Sequence, residues 1–155
     1  MSKNDILLSV DNLKVYFRSP DKLSRAVDGV SYALRREQTV CIVGESGCGK
    51  TVSALSILGL IPQPPGEIAG GRIMFGGEDL LRRSEEELQK VRGNHIAMVF
   101  QEPLTSLNPV FKIGDQIGEA IRIHRNLDEE TLYGRCIQLL KDVGIQSPEE
   151  RVNAY

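Results

Sequence analysis

The sequence predicts an α/β fold in which antiparallel strands precede a glycine-rich loop and helices follow it. Residues 6–34 alternate between apolar and polar side chains, which is the period of a strand with one buried face. Residues 44–51 form a glycine-rich loop directly after an apolar run, and beyond residue 103 the apolar spacing becomes helical. The 155 residues, 41% of them hydrophobic, suffice for one globular domain with its own core.

Two strands are predicted at the N-terminus. Residues 6–17 alternate loosely, and the polar pair Asp11 and Asn12 interrupts them, so we expect a strand with a kink at that point. Residues 18–24 form a polar turn, and residues 26–34 alternate again. Two consecutive strands joined by a short turn predict an antiparallel hairpin.

The glycine-rich loop reads Gly-Glu-Ser-Gly-Cys-Gly-Lys-Thr over residues 44–51, which is the pattern of a nucleotide-phosphate cradle. Glycines allow the backbone to curl and to direct its N–H groups at phosphates. Lys50 would place its charge on the β- and γ-phosphates, and Thr51 is the residue that binds Mg²⁺ in such loops. Glycine-rich turns are common, but here a predicted strand precedes the loop at 39–43 and a predicted helix follows at 52–60.

Further elements follow the loop. Prolines at 62–66 predict the end of the first helix, and paired glycines bound a short strand over 70–77. Ser84 and Glu87 form a capping box for a short helix. The nearly continuous apolar run 95–100 predicts, like 39–43, a strand of a buried parallel sheet.

Two helices are predicted in the last third of the chain. Asp128 is a suitable N-cap for the second helix, and Gly144 a suitable stop. The apolar face of the first helix comprises Ile117, Ala120, Ile121 and His124, and that of the second Leu132, Cys136, Leu139, Leu140 and Val143.

Composition excludes several kinds of protein. A net charge of −2 and a pI near 5.7 provide no basic surface for nucleic acid, so we expect no nucleic-acid partner. No apolar stretch is long enough to span a membrane, and the polar start is unlike a secretory signal, which predicts a cytoplasmic protein. The spacing of Cys41, Cys48 and Cys136 does not suggest metal ligation, nor do the single residues His95 and His124.

A second motif, after the glycine-rich loop, narrows the kind of nucleotide-binding protein. Residues 98–103 read Met-Val-Phe-Gln-Glu-Pro, and 104–117 continue Leu-Thr-Ser-Leu-Asn-Pro-Val-Phe-Lys-Ile-Gly-Asp-Gln-Ile. Together with the glycine-rich loop, they resemble the ATP-binding subunit of an ABC transporter of the dipeptide and oligopeptide importer branch. The resemblance covers essentially the whole chain. It implies a P-loop NTPase core of ABC type over residues 1–102, incomplete, with an N-terminal antiparallel β-subdomain, and the Q-loop with a partial helical subdomain over 103–155.

The resemblance also implies site residues. Lys50 and Gln101 would take part in catalysis, Thr51 and Gln101 would approach Mg²⁺, and Phe17 would stack on adenine, with Tyr16 as second choice. The alternative to adenine stacking, for either ring, is ordinary packing at the end of the strand. The nucleotide would contact the loop through Gly44, Glu45, Ser46, Gly47, Cys48, Gly49, Lys50, Thr51 and Val52.

By the same resemblance, the cofactors are ATP and Mg²⁺, and the partners are transmembrane permease subunits and a second ATPase subunit. The permease would hold the protein at the inner face of the cell membrane. Four apolar residues after Gln101 have two open interpretations, as core of the helical subdomain or as a surface that meets the permease; they are Leu104, Leu107, Val110 and Phe111.

The family's signature motif, Walker B strand and switch histidine have no match between residues 104 and 155. We therefore expect an N-terminal fragment of a longer ATPase, which binds ATP and does not hydrolyse it alone. The alternatives are a non-catalytic nucleotide-binding remnant and a non-transport ABC ATPase acting in repair or translation. The string 101–117 favours the importer branch over the last of these.

Overall fold

Two units make up the chain, Met1–Gln89 and Lys90–Tyr155, in a computed structural model that describes residues 5–101 and 106–155. The first unit contains all the strands of the described chain, and the second contains three helices. The domain boundary placed after residue 102 stays a prediction, and residues 102–105 lie outside the described part.

The first unit is built on a four-stranded antiparallel sheet of order β2-β1-β3-β4. The predicted N-terminal hairpin is confirmed, and the strand predicted at 70–77 is longer than expected and begins at residue 66. Leu13, Val15 and Ile73 are fully buried against the sheet's inner face. The strands are β1 Ile6–Ser19, β2 Lys22–Arg35, β3 Gly66–Phe75 and β4 Glu78–Asp79.

The predicted kink in β1 lies at Asn12, which has a positive φ of 49°. Its N–H donates a hydrogen bond to Ser31 Oγ at 2.8 Å instead of continuing the ladder, and the register with β2 shifts between Val10 and Leu13. Opposite the kink, a Cβ on Gly71 would lie 2.6 Å from the Asn12 carbonyl oxygen. The kink therefore needs both a residue that tolerates positive φ and a glycine on the neighbouring strand.

The first unit contains α1 Lys50–Ile57, a short 3-10 helix at Leu80–Arg82 and most of α2 Glu85–Val91, which continues past the unit boundary at Gln89. The helix after the loop ends earlier than the predicted residue 60, because Gly59 takes a positive φ of 63°. The capping box of α2 is confirmed. The Ser84 N–H donates to Glu87 Oε2 at 2.9 Å, and the Glu87 N–H donates to Ser84 Oγ at 3.3 Å.

The two strands predicted for a parallel sheet, 39–43 and 95–100, are wrong for the described chain. Residues 39–43 are irregular, and Val43 is 91% exposed. In the second run only Ile96 pairs, through an isolated bridge with Arg92, and Val99 is 97% exposed. A strand exists only where a neighbour accepts and donates its backbone hydrogen bonds, and no described segment does so for either run.

The second unit consists of three helices, α3 Ile113–Arg122, α4 Glu129–Asp142 and α5 Pro148–Arg151. Cys136, Leu140 and Val152 form its buried core, and Ile113, Ile117, Ile121 and Ile137 pack around them. The predicted cap is confirmed, since the Thr131 N–H donates to Asp128 Oδ1 at 2.9 Å. Burial raises the pKa of the Cys136 thiol above its ordinary value.

Three apolar residues near the start of this unit lie outside its core. Leu107, Val110 and Phe111 are 45%, 68% and 55% exposed, so their interpretation as helical core is wrong. Leu104, the fourth of the set, lies outside the described residues. Within 5–101 and 106–155, none of the helices has the length and hydrophobicity that a membrane crossing demands.

Two glycines of this unit allow a matched test of its packing. Gly134 lies inside α4 with no atom near the position of a Cβ, so Gly134→Ala should stabilise the protein by roughly 0.5–1 kcal/mol. A Cβ on Gly114 would lie 2.6 Å from Val152 Cγ2, so Gly114→Ala should destabilise it by about 1–3 kcal/mol. Urea unfolding followed by circular dichroism measures both, and a lower midpoint for Gly134→Ala would contradict this packing.

Candidate functional site

The glycine-rich loop leads directly into α1. Gly47 and Gly49 have φ values of 80° and 93°, and Gly49 is the N-cap of the helix. The Ser53 N–H donates to the Gly49 carbonyl at 2.9 Å, which starts the helical hydrogen bonds at this residue. The positive φ values are open to glycine at little cost, which explains the two glycines at these positions.

Strand β2 lies directly against the end of the loop and the start of α1. A Cβ on Gly49 would overlap the Ala26 carbonyl oxygen and would lie 3.4 Å from Val27 Cγ2. The helix start thus approaches the backbone of β2 as closely as a residue without a side chain allows. A cavity of about 210 Å³ opens beside this contact, and it is lined by Lys50 and Cys48 together with residues of β2.

A side-chain hydrogen bond also ties α1 to β2. Tyr32 Oη lies 3.1 Å from Ser53 Oγ, and Ser53 is only 4% exposed. Ser56, one turn later, donates to the Val52 carbonyl at 2.7 Å. The exposed Thr51 hydroxyl has no hydrogen-bond partner among the described residues, so of the three hydroxyl groups of α1 it is the one available to a ligand.

Lys50 lies within the curl of the loop. Its ammonium Nζ donates to the Gly44 carbonyl at 2.7 Å and to the Glu45 carbonyl at 2.6 Å, and it lies 3.4 Å from Cys48 Sγ. An ammonium group has three donors, and bonds to charged oxygens are stronger than bonds to neutral carbonyls. An anion at this loop would therefore compete well for the lysine.

The electrostatics of the helix start also favour an anion. The first turn of α1 contains no acidic residue, so the positive end of its dipole is not neutralised there. The structure brings together Gly44, Glu45, Cys48 and Lys50, and their role in binding a nucleotide stays a prediction. Ser46 is exposed in the turn, and Val52 is half-buried in the first turn of α1.

Both candidate aromatic residues are half-buried on β1. Tyr16 donates from its hydroxyl to Asp28 Oδ1 at 2.7 Å, and the Arg25 guanidinium carbon lies 5.6 Å from its ring centroid. The hydrogen bond to Asp28 raises the pKa of Tyr16. Phe17 pairs with Gly66, and its Cε1 lies 3.2 Å from where a Cβ on that glycine would be. The stacking role of either ring stays a prediction.

Gln101 belongs to the second unit and is exposed. It directly precedes residues 102–105, which lie outside the described part. Its catalytic and metal-binding roles stay predictions. Throughout the described residues, no group of three or more His, Cys, Asp or Glu side chains could hold a metal ion.

Sequence reasoning missed the support that β2 provides. Ala26 and Tyr32 are positions of an alternating strand with no motif of their own, and their partners Gly49 and Ser53 are about twenty residues away. The one available signal was the third glycine of the loop, which implies a close approach without naming the neighbour.

A family model described as ABC transporter matches residues 27–154. The chain belongs to the ABC transporter family. It is 43% identical, over 99% of its length, to a probable peptide ABC transporter ATP-binding protein of Sinorhizobium fredii. Over 96% of its length it is 45% identical to the oligopeptide transport ATP-binding protein OppD of Bacillus subtilis and 46% identical to the dipeptide transport ATP-binding protein DppD of Escherichia coli.

The chain spans 46%, 42% and 45% of these three relatives. These relatives confirm the predicted resemblance to the dipeptide and oligopeptide branch of the ABC transporter family.

Among solved structures, the chain matches the dimeric bacterial ABC transporter cassette MJ0796 with a TM-score of 0.80 at 20% identity, over 95% of this chain and 60% of that chain. A second match, cbiO1 of Clostridium perfringens, has a TM-score of 0.67 at 23% identity, over 92% of this chain and 52% of that chain. The predicted fold class is thereby confirmed.

Proposed function

We propose that this chain is the nucleotide-binding part of the ATP-binding subunit of an ABC importer for dipeptides, oligopeptides or related ligands. The observation that carries the proposal is the Lys50 ammonium, held within the loop by the Gly44 and Glu45 carbonyls at the start of α1. The relatives support the ligand class, because their names describe ATP-binding proteins of peptide, oligopeptide and dipeptide transport.

The loop fits a triphosphate with Mg²⁺. Gly47 has a positive φ and no atom within 4 Å of where its Cβ would be, so phosphates could approach its backbone closely. Lys50 would hold the β- and γ-phosphates, and the Thr51 hydroxyl would bind Mg²⁺. The metal would neutralise part of the phosphate charge. Within this chain, the loop binds and orients the nucleotide, and Gln101 would approach the metal and the attacking water.

Phe17 remains the proposed adenine-stacking residue. Two contacts support it over Tyr16: the Tyr16 hydroxyl is bonded to Asp28, and its ring is covered by Arg25. A ring engaged in this way would have to give up both interactions before it met a base. Phe17 has no polar group and makes its close ring contact with Gly66.

We further propose that the protein works in the cytoplasm at the inner face of the cell membrane, bound to permease subunits and paired with a second ATPase subunit. The exposed apolar side chains Leu107, Val110 and Phe111 support a partner surface in the second unit. Their exposure would be costly without a covering protein, since apolar area in contact with water is unfavourable.

These 155 residues are proposed to bind ATP without turning it over. Hydrolysis needs a water positioned in line with the γ-phosphate and a group that accepts its proton. The phosphate cradle, Lys50, Thr51 and Gln101 bind and orient the nucleotide, and none of them is a general base.

The test uses the purified chain, titrated with a fluorescent ATP analogue with and without Mg²⁺, and assayed in parallel for phosphate release. We expect saturable binding that unlabelled ATP displaces, strengthened by Mg²⁺, together with phosphate release no faster than in buffer. Steady hydrolysis that Lys50→Ala abolishes would refute the absence of turnover. A lack of any displaceable binding would refute the nucleotide site itself.

A further inference from the structure

Strand β2 contains a bulge at the point where it meets the glycine-rich loop. Val15 and Tyr16 are consecutive residues of β1. Their partners on β2 are Val27 and Arg25, so Ala26, which lies between these two, has no partner on β1. An extra residue of this kind defines a β-bulge, which bends its strand locally and is frequent next to functional sites.

The irregularity belongs to β2 and not to β1. On its other edge, β1 continues in register with β3 at this point, since Val15 lies opposite Ile68 and Tyr16 lies opposite Glu67. A regular strand on that side keeps the course of β1 fixed. The bulge therefore changes the course of β2 alone, on the strand that the loop contacts.

The extra residue of the bulge is also the residue that the loop meets. A Cβ on Gly49 would overlap the Ala26 carbonyl oxygen, and it would lie 3.4 Å from Val27 Cγ2. Gly49 directly precedes Lys50, so the Ala26 carbonyl limits how the end of the loop and its lysine are placed. Close-packed groups transmit displacements, and here no side chain of Gly49 separates the two backbones.

Three side chains hold the β2 backbone on both sides of the bulge. The Tyr16 hydroxyl donates to Asp28 Oδ1 at 2.7 Å, and the Arg25 guanidinium carbon lies 5.6 Å from the Tyr16 ring centroid. Arg25 Nη1 also lies 3.5 Å from Asp28 Oδ2. Arg25 and Asp28 flank the two residues that approach Gly49, so a single ring on β1 contacts both ends of this segment.

We propose that Tyr16, together with Arg25 and Asp28, positions the glycine-rich loop by fixing the bulge at Ala26. The inference rests on the proposed function, and it makes Tyr16 a positioning residue that acts on the phosphate site through the β2 backbone. Ion pairs between exposed side chains contribute little to the free energy of unfolding. A cluster that serves the loop should therefore affect the loop and its ligand more than it affects folding.

The first experiment observes the loop itself, by NMR of ¹⁵N-glycine-labelled protein without nucleotide. We expect Tyr16→Phe and Asp28→Ala to shift the Gly49 amide signal, because each variant removes the hydrogen bond between hydroxyl and carboxylate. Asp28→Asn keeps an oxygen acceptor and should restore most of the signal position. Asp11→Ala is the matched control and should leave Gly49 unchanged, since Asp11 is an exposed carboxylate of the same sheet that pairs with Arg72 at 3.0 Å.

The second experiment separates positioning from base stacking. Calorimetric titration of Tyr16→Phe with ATP and with inorganic tripolyphosphate, both with Mg²⁺, should show a similar loss of affinity for each, roughly fivefold. A stacking role would instead leave both affinities unchanged, because phenylalanine also stacks on a base and tripolyphosphate has none. Asp28→Ala should act like Tyr16→Phe, and Asp11→Ala should bind both ligands as wild type does.

An unmoved Gly49 signal in both Tyr16→Phe and Asp28→Ala would overturn the proposal, as would unchanged tripolyphosphate affinity in these variants. A lower urea midpoint with an unmoved Gly49 signal would assign the cluster to the stability of the hairpin alone, which also overturns it. Because the glycine signals are recorded without nucleotide, they decide the inference separately from the proposed function. A wild-type chain that binds no nucleotide would refute the proposed function.

Discussion

Lys50→Ala is expected to reduce ATP affinity roughly 100-fold or more, which in practice abolishes binding at micromolar nucleotide. The ammonium lies inside the curl of the loop, where it donates hydrogen bonds to the Gly44 and Glu45 carbonyls. With a triphosphate, those neutral acceptors would be replaced by charged oxygens, so the variant loses the bonds between the ammonium and the phosphates. Water can solvate the two carbonyls, so folding stability should change by less than about 1 kcal/mol.

Titration with a fluorescent ATP analogue measures this loss, and urea unfolding checks that the fold is intact. Lys22→Ala is the matched control, because Lys22 is an exposed lysine at the start of β2, on the same unit but outside the loop. Lys50→Arg keeps the charge in a larger group and should recover only part of the affinity. If Lys50→Ala bound ATP as tightly as the Lys22 control, the nucleotide would lie elsewhere.

Gly49→Ala is expected to destabilise the first unit by about 2–4 kcal/mol and to remove nucleotide binding. A methyl group at this position would overlap the Ala26 carbonyl, and the backbone there has a φ of 93°, which alanine avoids. Relief of the overlap requires α1 to move away from β2, which would break the Tyr32–Ser53 hydrogen bond and displace Lys50. Fold and site are therefore lost together.

Gly47→Ala separates the cost of the steric overlap from the cost of the backbone strain. Gly47 has a similar φ of 80°, but a Cβ there would have no atom within 4 Å, so only the backbone strain of about 1–2 kcal/mol remains. Urea midpoints of the two variants compare overlap plus strain with strain alone. Equal midpoints would mean that the contact between Gly49 and β2 does not determine the position of the loop.

The features that the sequence predicted correctly are those whose cause is local. The capping box at Ser84 and Glu87 and the cap at Asp128 involve residues three positions apart, so the sequence displays the whole interaction. The kink at Asn12 follows from two polar residues within an alternating strand. The glycine-rich loop carries its geometry in its own residues, because glycine is the usual residue where φ is positive.

The errors concern features that depend on distant partners. Residues 39–43 and 95–100 have the composition of buried strands, but composition does not supply the neighbours that a ladder requires. For the same reason the Tyr32–Ser53 bond was not foreseen.

The exposure of residues 39–43 places an irregular apolar segment next to the glycine-rich loop. This segment is uncharged and rich in β-branched residues, with Val43 almost fully open to solvent, so two chains can pair along it as intermolecular strands. It directly precedes Gly44, and a pairing there would restrict the loop. If pairing holds the loop in a form that excludes phosphates, nucleotide and dilution would both shift the protein toward unpaired chains.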